Sequence, residues 1–238
     1  MQWSDPSSVA LIIGVAISAV HVFSPKLVFL DRTPRSIWLS LAGGVSVSYV
    51  FVHLLPELGH LKSNALADGE GLEMLYLFAL VGFVIYYSLE MVAVRHGGER
   101  KGSTPPAIFW LHLASFALYN FVVGELLEEQ ARLEGLLGAA QYAVAMGLHF
   151  LVNDRSLYAH HGALYLNTGR WVLAGAVIGG AVVGAMAGIP AWLTGIAIAL
   201  LAGGVIFNVI KEELPEERES RVWAFVLGAC IYTVLVLV

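Results

Sequence analysis

Cysteine is almost absent. Cys230 is the single one in 238 residues, which excludes an intramolecular disulfide and a thiolate-rich metal cage. Any metal must then be held by His, Asn, Asp, Glu and Met side chains. Charge is scarce as well: Asp, Glu, Lys and Arg make up 13% of the chain, against about 25% in an ordinary soluble domain. With 58% hydrophobic residues, a water-soluble fold has nowhere to put the apolar surface. No Gly-rich phosphate loop is present, so an ATP-driven mechanism has no site. The amino terminus, MQWSDP, has an acid and no basic n-region, which argues against a cleaved signal peptide.

What the chain does have is apolar blocks of roughly 17 to 23 residues, enough at about 1.5 Å per residue to cross a hydrocarbon core of about 30 Å. They run Val9 to Phe23, Ser36 to Leu55, Leu72 to Val94, Ala107 to Gly124, Leu136 to Asn153, Trp171 to Ile189, Ala191 to Ile210 and Val222 to Val238. The first is short and leans on Leu27 to Leu30 for length. The expected fold is all-α: a polytopic integral membrane protein of eight transmembrane helices forming one domain over 1–238, with the bilayer as partner and no nucleic acid.

Alternating spans sort the basic residues unevenly. Lys26, Arg32, Arg35, Arg95, Arg100, Lys101, Arg155, Arg170, Lys211, Arg218 and Arg221 fall on one side, and only Lys62 and Arg132 on the other. The positive-inside rule makes the first side cytoplasmic and puts both termini outside, in a plasma or bacterial inner membrane. The opposite side carries Asp5, Glu57, Asp68, Glu70, Glu73, Glu125, Glu128, Glu129 and Glu134. Such an acidic face concentrates cations, although it is also what remains once basic residues are kept inside.

Two helices resemble each other. The second contains Leu41-Ala42-Gly43-Gly44-Val45 and ends Leu55-Pro56-Glu57; the seventh contains Leu201-Ala202-Gly203-Gly204-Val205 and ends Leu214-Pro215-Glu216. Their internal spacing differs by one residue. Aligned on Leu-Pro-Glu, His53 matches Glu212. The two helices cross in opposite directions, so the repeat is inverted, a recurrent plan of secondary transporters. It places His53 and Glu57 near the outer mouth and Glu212, Glu213 and Glu216 near the inner one.

Ionisable side chains within spans are costly and usually face a bundle interior. His112, Ser115, Tyr119 and Asn120 recur at helical spacing on the fourth helix. Tyr142, Met146, His149, Asn153 and His160 form a stripe on the fifth, with Asp154 beside it. A neutral imidazole, a carboxylate and amide oxygens suit a borderline divalent cation such as zinc. His149 with Asp154 reads as functional, whereas His112 and Tyr119 read as interhelical hydrogen-bonding groups. His21 reads as a packed or interfacial histidine, and His160 and His161 as a solvated helix end.

Eight helices, external termini, an inverted three-helix repeat around helices four and five, and a basic His-containing loop after helix three resemble the ZIP family of divalent metal transporters. FVHLLPE (Phe51 to Glu57) is similar to that family's helix-two ending, and LAGGVIFNVIKEELPE to its helix-seven segment. The resemblance implies a metal centre between a His-Asn-x-x-Glu/Asp-Gly motif on helix four and a His-Glu-x-x-His/Glu-Glu motif on helix five. Here helix four keeps Asn120 and Gly124, with Tyr119 in place of His and Val123 in place of the acid. Helix five keeps His149, with Asn153 at the second ligand position and Asp154 in place of Glu. Arg155 follows, where a cation would compete for Asp154. The implied ligands are Asn120, His149, Asn153 and Asp154, with Glu212 from helix seven; His53, Glu57, Met146, His112, Glu213 and Glu216 would line the pathway.

The expected function is ZIP-like secondary transport, not an enzyme: a divalent cation of the zinc, iron or manganese class, zinc foremost, moves toward the cytoplasm as substrate with no organic cofactor. A degenerate ZIP-fold protein that binds or senses metal, or scaffolds without transport, is the alternative. An intramembrane zinc hydrolase is the more remote one, since it needs three converging histidines and an acid. The glycines of helix six (Gly175, Gly179, Gly180, Gly184, Gly188) allow close packing within the chain or in a homodimer.

Overall fold

The structure is a computed structural model that describes residues 5–27, 37–56, 58–59, 71–96, 106–186, 190–213 and 221–237. Among them there is no strand, and the elements are helices in the expected places. Helix α1 spans Pro6–Phe23 and runs into a 3-10 turn, Ser24–Lys26. Asp5 caps it through Ser8 N at 3.2 Å, with Pro6 in the first turn where its missing N–H costs nothing. The helix thus gains its length from Pro6-Ser7-Ser8 and the 3-10 turn; of the Leu27 to Leu30 extension expected from sequence, 28–30 lie outside the described residues.

Helix α2, Ile37–Ser48, continues as a π-helical stretch, Tyr49–Leu54, in which Leu55 N–H reaches back to Val50 O. Pro56 supplies the cause. Its ring would collide with the carbonyl four residues back, at Val52, and a wider turn relieves that collision.

Helix α3 is Gly71–His96. A continuous helical run, Pro106–His161, follows, broken by Gly135 at φ 69° and ψ −164°, a conformation open to glycine alone. Its two arms, α4 (106–134) and α5 (136–161), fold back on each other. Tyr142 Oη donates to Val123 O at 3.1 Å, and the Tyr119 ring lies 6.3 Å from Phe150. Helix α4 outruns its apolar block because residues 125–134, ELLEEQARLE, are nearly all strong helix formers. After a π turn, Tyr165–Gly169, come α6 (Arg170–Met186), α7 (Ala191–Glu213) and α8 (Val222–Leu237).

Among the described residues, six stretches are long and apolar enough to cross a membrane; the fourth, Phe109–Ala159, contains the hairpin, and Val222–Leu237 is shorter. Helix α3 is the most open to its surroundings, exposing Met74, Leu77, Leu80, Val81, Val84 and Ile85. Such a surface needs a lipid environment or another protein.

The chain divides into two compact units. One comprises Met1–Leu27 and Tyr87–Gly188, and so holds α1, α4, α5, α6 and the end of α3; the other comprises Val28–Tyr86 and Ile189–Val238 and holds α2, most of α3, α7 and α8. Each takes helices from both halves of the sequence.

Glycines set the packing inside the second unit, and one arrangement occurs there twice. A Cβ on Gly44 (α2) would strike Phe225 O and Ala229 N (α8), while one on Gly203 (α7) would strike Ala79 O and Phe83 N (α3). The reciprocal contacts match too: Gly228 lies against Leu41 O and Gly82 against Leu200 O. One constant shift carries Leu41 and Gly44 onto Leu200 and Gly203, and another carries Ala79, Gly82 and Phe83 onto Phe225, Gly228 and Ala229. The first shift is the one that aligns the two Leu-Pro-Glu ends, so packing pairs Gly44 with Gly203 and not with Gly204. In the first unit, α4 and α6 approach similarly, with Gly124 against Val177 O and Gly180 against Phe121 O. Small residues let backbones meet and gain dispersion where lipid supplies no hydrophobic drive between helices.

Candidate functional site

The polar core of the first unit is built where α1, α4 and α5 meet. On α1 the buried residues Ala10, Gly14, Ile17 and His21 recur every three or four positions and form one stripe. His21 ends that stripe, 1% exposed. Its Nδ1 lies 2.9 and 3.1 Å from the two carboxylate oxygens of Asp154, and its Nε2 lies 2.7 Å from Asn120 Oδ1. Asn120 cannot be turned around, because its amide nitrogen donates to Phe116 O at 2.7 Å. Both ring nitrogens therefore face acceptors. Either an imidazolium sits beside an ionised Asp154, or Asp154 holds the proton and donates it to Nδ1; the pair has the same net charge both ways. Phe150 lies under the imidazole at 4.7 Å between ring centroids, and Tyr165 Oη donates to His21 O at 3.4 Å.

A second polar pair lies on α5. Asn153 Nδ2 is 3.0 Å from His149 Nε2, so the amide donates and His149 is the neutral Nδ1–H tautomer. The Tyr119 ring is 5.8 Å from His149, and its hydroxyl reaches Met146 Sδ at 3.8 Å. On a helix, positions 149 and 153 share a face and position 154 turns away from it. The expected ligands are accordingly brought together as two pairs. Asp154 and Asn120 are joined through His21, and His149 and Asn153 are joined directly.

Sequence reasoning missed His21, which it read as a packed or interfacial histidine. The available signal was an imidazole ending an apolar stripe in a helix with no other ionisable group, an expensive placement unless it is paired. Its partners, 99 and 133 residues away, are invisible to local reading. The expected role for Arg155 also changes. Asp154 is engaged by His21, whereas Arg155 donates to Ser24 O at 3.4 Å and lies over the Tyr158 ring.

Tyr119 and Val123, at the helix-four positions where the resemblance implied ligands, are both buried, and the Val123 carbonyl accepts the Tyr142 hydroxyl. Helix α4 thus offers the site only Asn120. Of the other expected residues, His53 and His112 have described side chains. His53 sits in the π stretch of α2, buried in the second unit and stacked on Tyr49 at 5.3 Å. Glu212 and Glu213 close α7, also in the second unit, with side chains outside the described residues. Glu57 and Glu216 are outside them altogether. His112, on α4, pairs with His161.

Among the described residues no group of three or more His, Cys, Asp and Glu side chains converges. The donor set is two imidazoles, one carboxylate and two amides. That set can offer mixed nitrogen and oxygen ligation once the internal hydrogen bonds open: Asn153 can turn its Oδ1 to a cation that takes His149 Nε2, and Asp154 can exchange His21 for a metal.

No family model matches the chain, and no curated protein matches it.

Proposed function

We propose that this protein is a ZIP-like secondary transporter that carries a divalent metal cation of the zinc, iron or manganese class toward the cytoplasm. The observation that carries the reading is the buried set Asn120, His21, Asp154, His149 and Asn153 inside one of two compact helical units. Ionisable groups at such depth are expensive and mark substrate or ion pathways.

Eight crossings fit the packing within each unit. In the first, Ser7 reaches Ala185 and Gly14 lies by Ala181, so α1 and α6 oppose each other; Val20 lies by Gly147 and Ser24 accepts from Arg155, so α1 and α5 run together. In the second, α2 runs with α8 and α3 with α7. These are the relations that alternating spans demand: odd with odd or even with even parallel, odd with even opposed. The twice-used glycine contacts pair α2 with α8 as they pair α7 with α3, which supports an inverted repeat relating helices one to three with six to eight. Transporters of that plan alternate access by rigid-body movement of one bundle against another. A cation held by Asp154, Asn120, His149 and Asn153 would travel with the first unit.

A second reading is favoured by one observation. Tyr119 and Val123 fill the helix-four ligand positions with a ring and an apolar side chain, as in a ZIP-fold protein that binds or senses metal, or scaffolds, without moving it. The intramembrane hydrolase draws no such support, since its three imidazoles are not gathered among the described residues.

The test is uptake of zinc, iron(II) and manganese into vesicles holding the purified chain, beside equilibrium binding. Transport predicts flux that His149→Ala and Asp154→Ala each abolish. Binding without flux moves the protein to the second reading, and absence of both overturns the site. Orientation is checked separately: in a Cys230→Ser background, a cysteine at Asn64 should label from outside intact cells and one at Gly98 should not. The reverse pattern would invert the topology.

A further inference from the structure

We infer that His112 and His161 form a second metal site, distinct from the His149 set, for a borderline cation such as zinc(II) or cobalt(II). His112 Nδ1 and His161 Nε2 lie 3.4 Å apart, with ring planes at 77° and centroids 5.6 Å apart. Two imidazole nitrogens bound at about 2.0–2.1 Å to one tetrahedral ion must stand about 3.4 Å apart. The gap is thus the edge of a zinc coordination sphere. One hydrogen bridges it in the structure; an ion would take its place as that hydrogen moves to the donor ring's other nitrogen, so that both imidazoles stay neutral.

The surroundings suit neutral imidazoles. Phe109, fully buried, lies edge-on to His161 at 5.2 Å, and Leu113 is buried one position beyond His112. Ser115 fixes the backbone at His112 by donating to its carbonyl at 2.9 Å. The two histidines come from the second turn of α4 and the last residue of α5, at the end of the hairpin away from Gly135. Two protein ligands leave coordination positions for water, which makes a site of exchange and not a structural one. On the positive-inside orientation this end is cytoplasmic, so the pair would receive the ion leaving the membrane. That role rests on the transport reading; the binding does not.

The experiment is cobalt(II) titration of the purified full-length chain, with zinc competition, read by the visible absorption of tetrahedral cobalt. In a His149→Ala background, which disables the other set, the band should persist, and His112→Ala and His161→Ala should each remove it and weaken binding at this site by at least the roughly tenfold that even outer partners of a metal ligand contribute. An unchanged band in His112→Ala/His161→Ala overturns the inference, whatever the flux assay shows; loss of flux with the band intact overturns transport alone. If the variants fail to fold, acylation of histidines in the unaltered protein decides. Zinc should shield His112 and His161 from modification, and equal modification with and without zinc would sink the site.

Discussion

His21→Phe alone and Asp154→Leu alone are each expected to destabilise the protein by about 3–5 kcal/mol, and the two together to recover most of that loss. The reason is desolvation. Asp154 is fully buried and His21 nearly so, and each single change takes from the survivor its ionisable partner, leaving His21 with the neutral Asn120 and Asp154 with the neutral Tyr165. The double change removes both costs, leaving only the smaller one of Asn120 Oδ1 losing its donor, and sets an apolar contact beside Phe150, which already packs on His21. Thermal unfolding in detergent would measure the cycle. Metal flux separates structure from function: the double variant should be stable and inactive. A stable double variant that still transports would return both residues to a purely structural role.

The second large effect concerns the glycine contacts. Gly44→Ala and Gly203→Ala should each cost as much as severe overpacking, about 3 kcal/mol, because the new methyl meets a backbone carbonyl and amide that no rotamer change can move. Gly175→Ala, where a Cβ meets nothing within 4 Å, should instead gain up to about 1 kcal/mol from helix propensity. Similar losses at Gly44 and Gly203 would support the equivalence of the two helix pairs. Equal effects at all three positions would show that these approaches do not hold the second unit together.

The helices themselves were legible in the sequence. Six of the eight apolar blocks, read from hydropathy alone, begin and end within a few residues of an observed helix, since a run of apolar residues long enough to span a bilayer is a local property. The other two, 107–124 and 136–153, begin with theirs but stop eight to ten residues short. Departures have local causes that hydropathy does not register: the helix-forming but charged run 125–134, and the π turn ahead of Pro56. Asn120, His149, Asn153 and Asp154 stood out because polar groups in such blocks are few.

Sequence by itself therefore determined the all-helical class, the placement of its apolar helices and the polar residues available to a site. It could not determine which of those residues meet, because a side chain's partner depends on the packing of helices far apart in the chain. Only the tertiary structure decided that His21 bridges Asn120 and Asp154, that Arg155 turns to Ser24, and that His112 faces His161. It also decided the register of the two similar helices. In sequence, the glycine motif and the Leu-Pro-Glu ends imply shifts that differ by one residue, and the choice falls to backbone contact, where only the glycine facing the neighbouring carbonyl must lack a side chain.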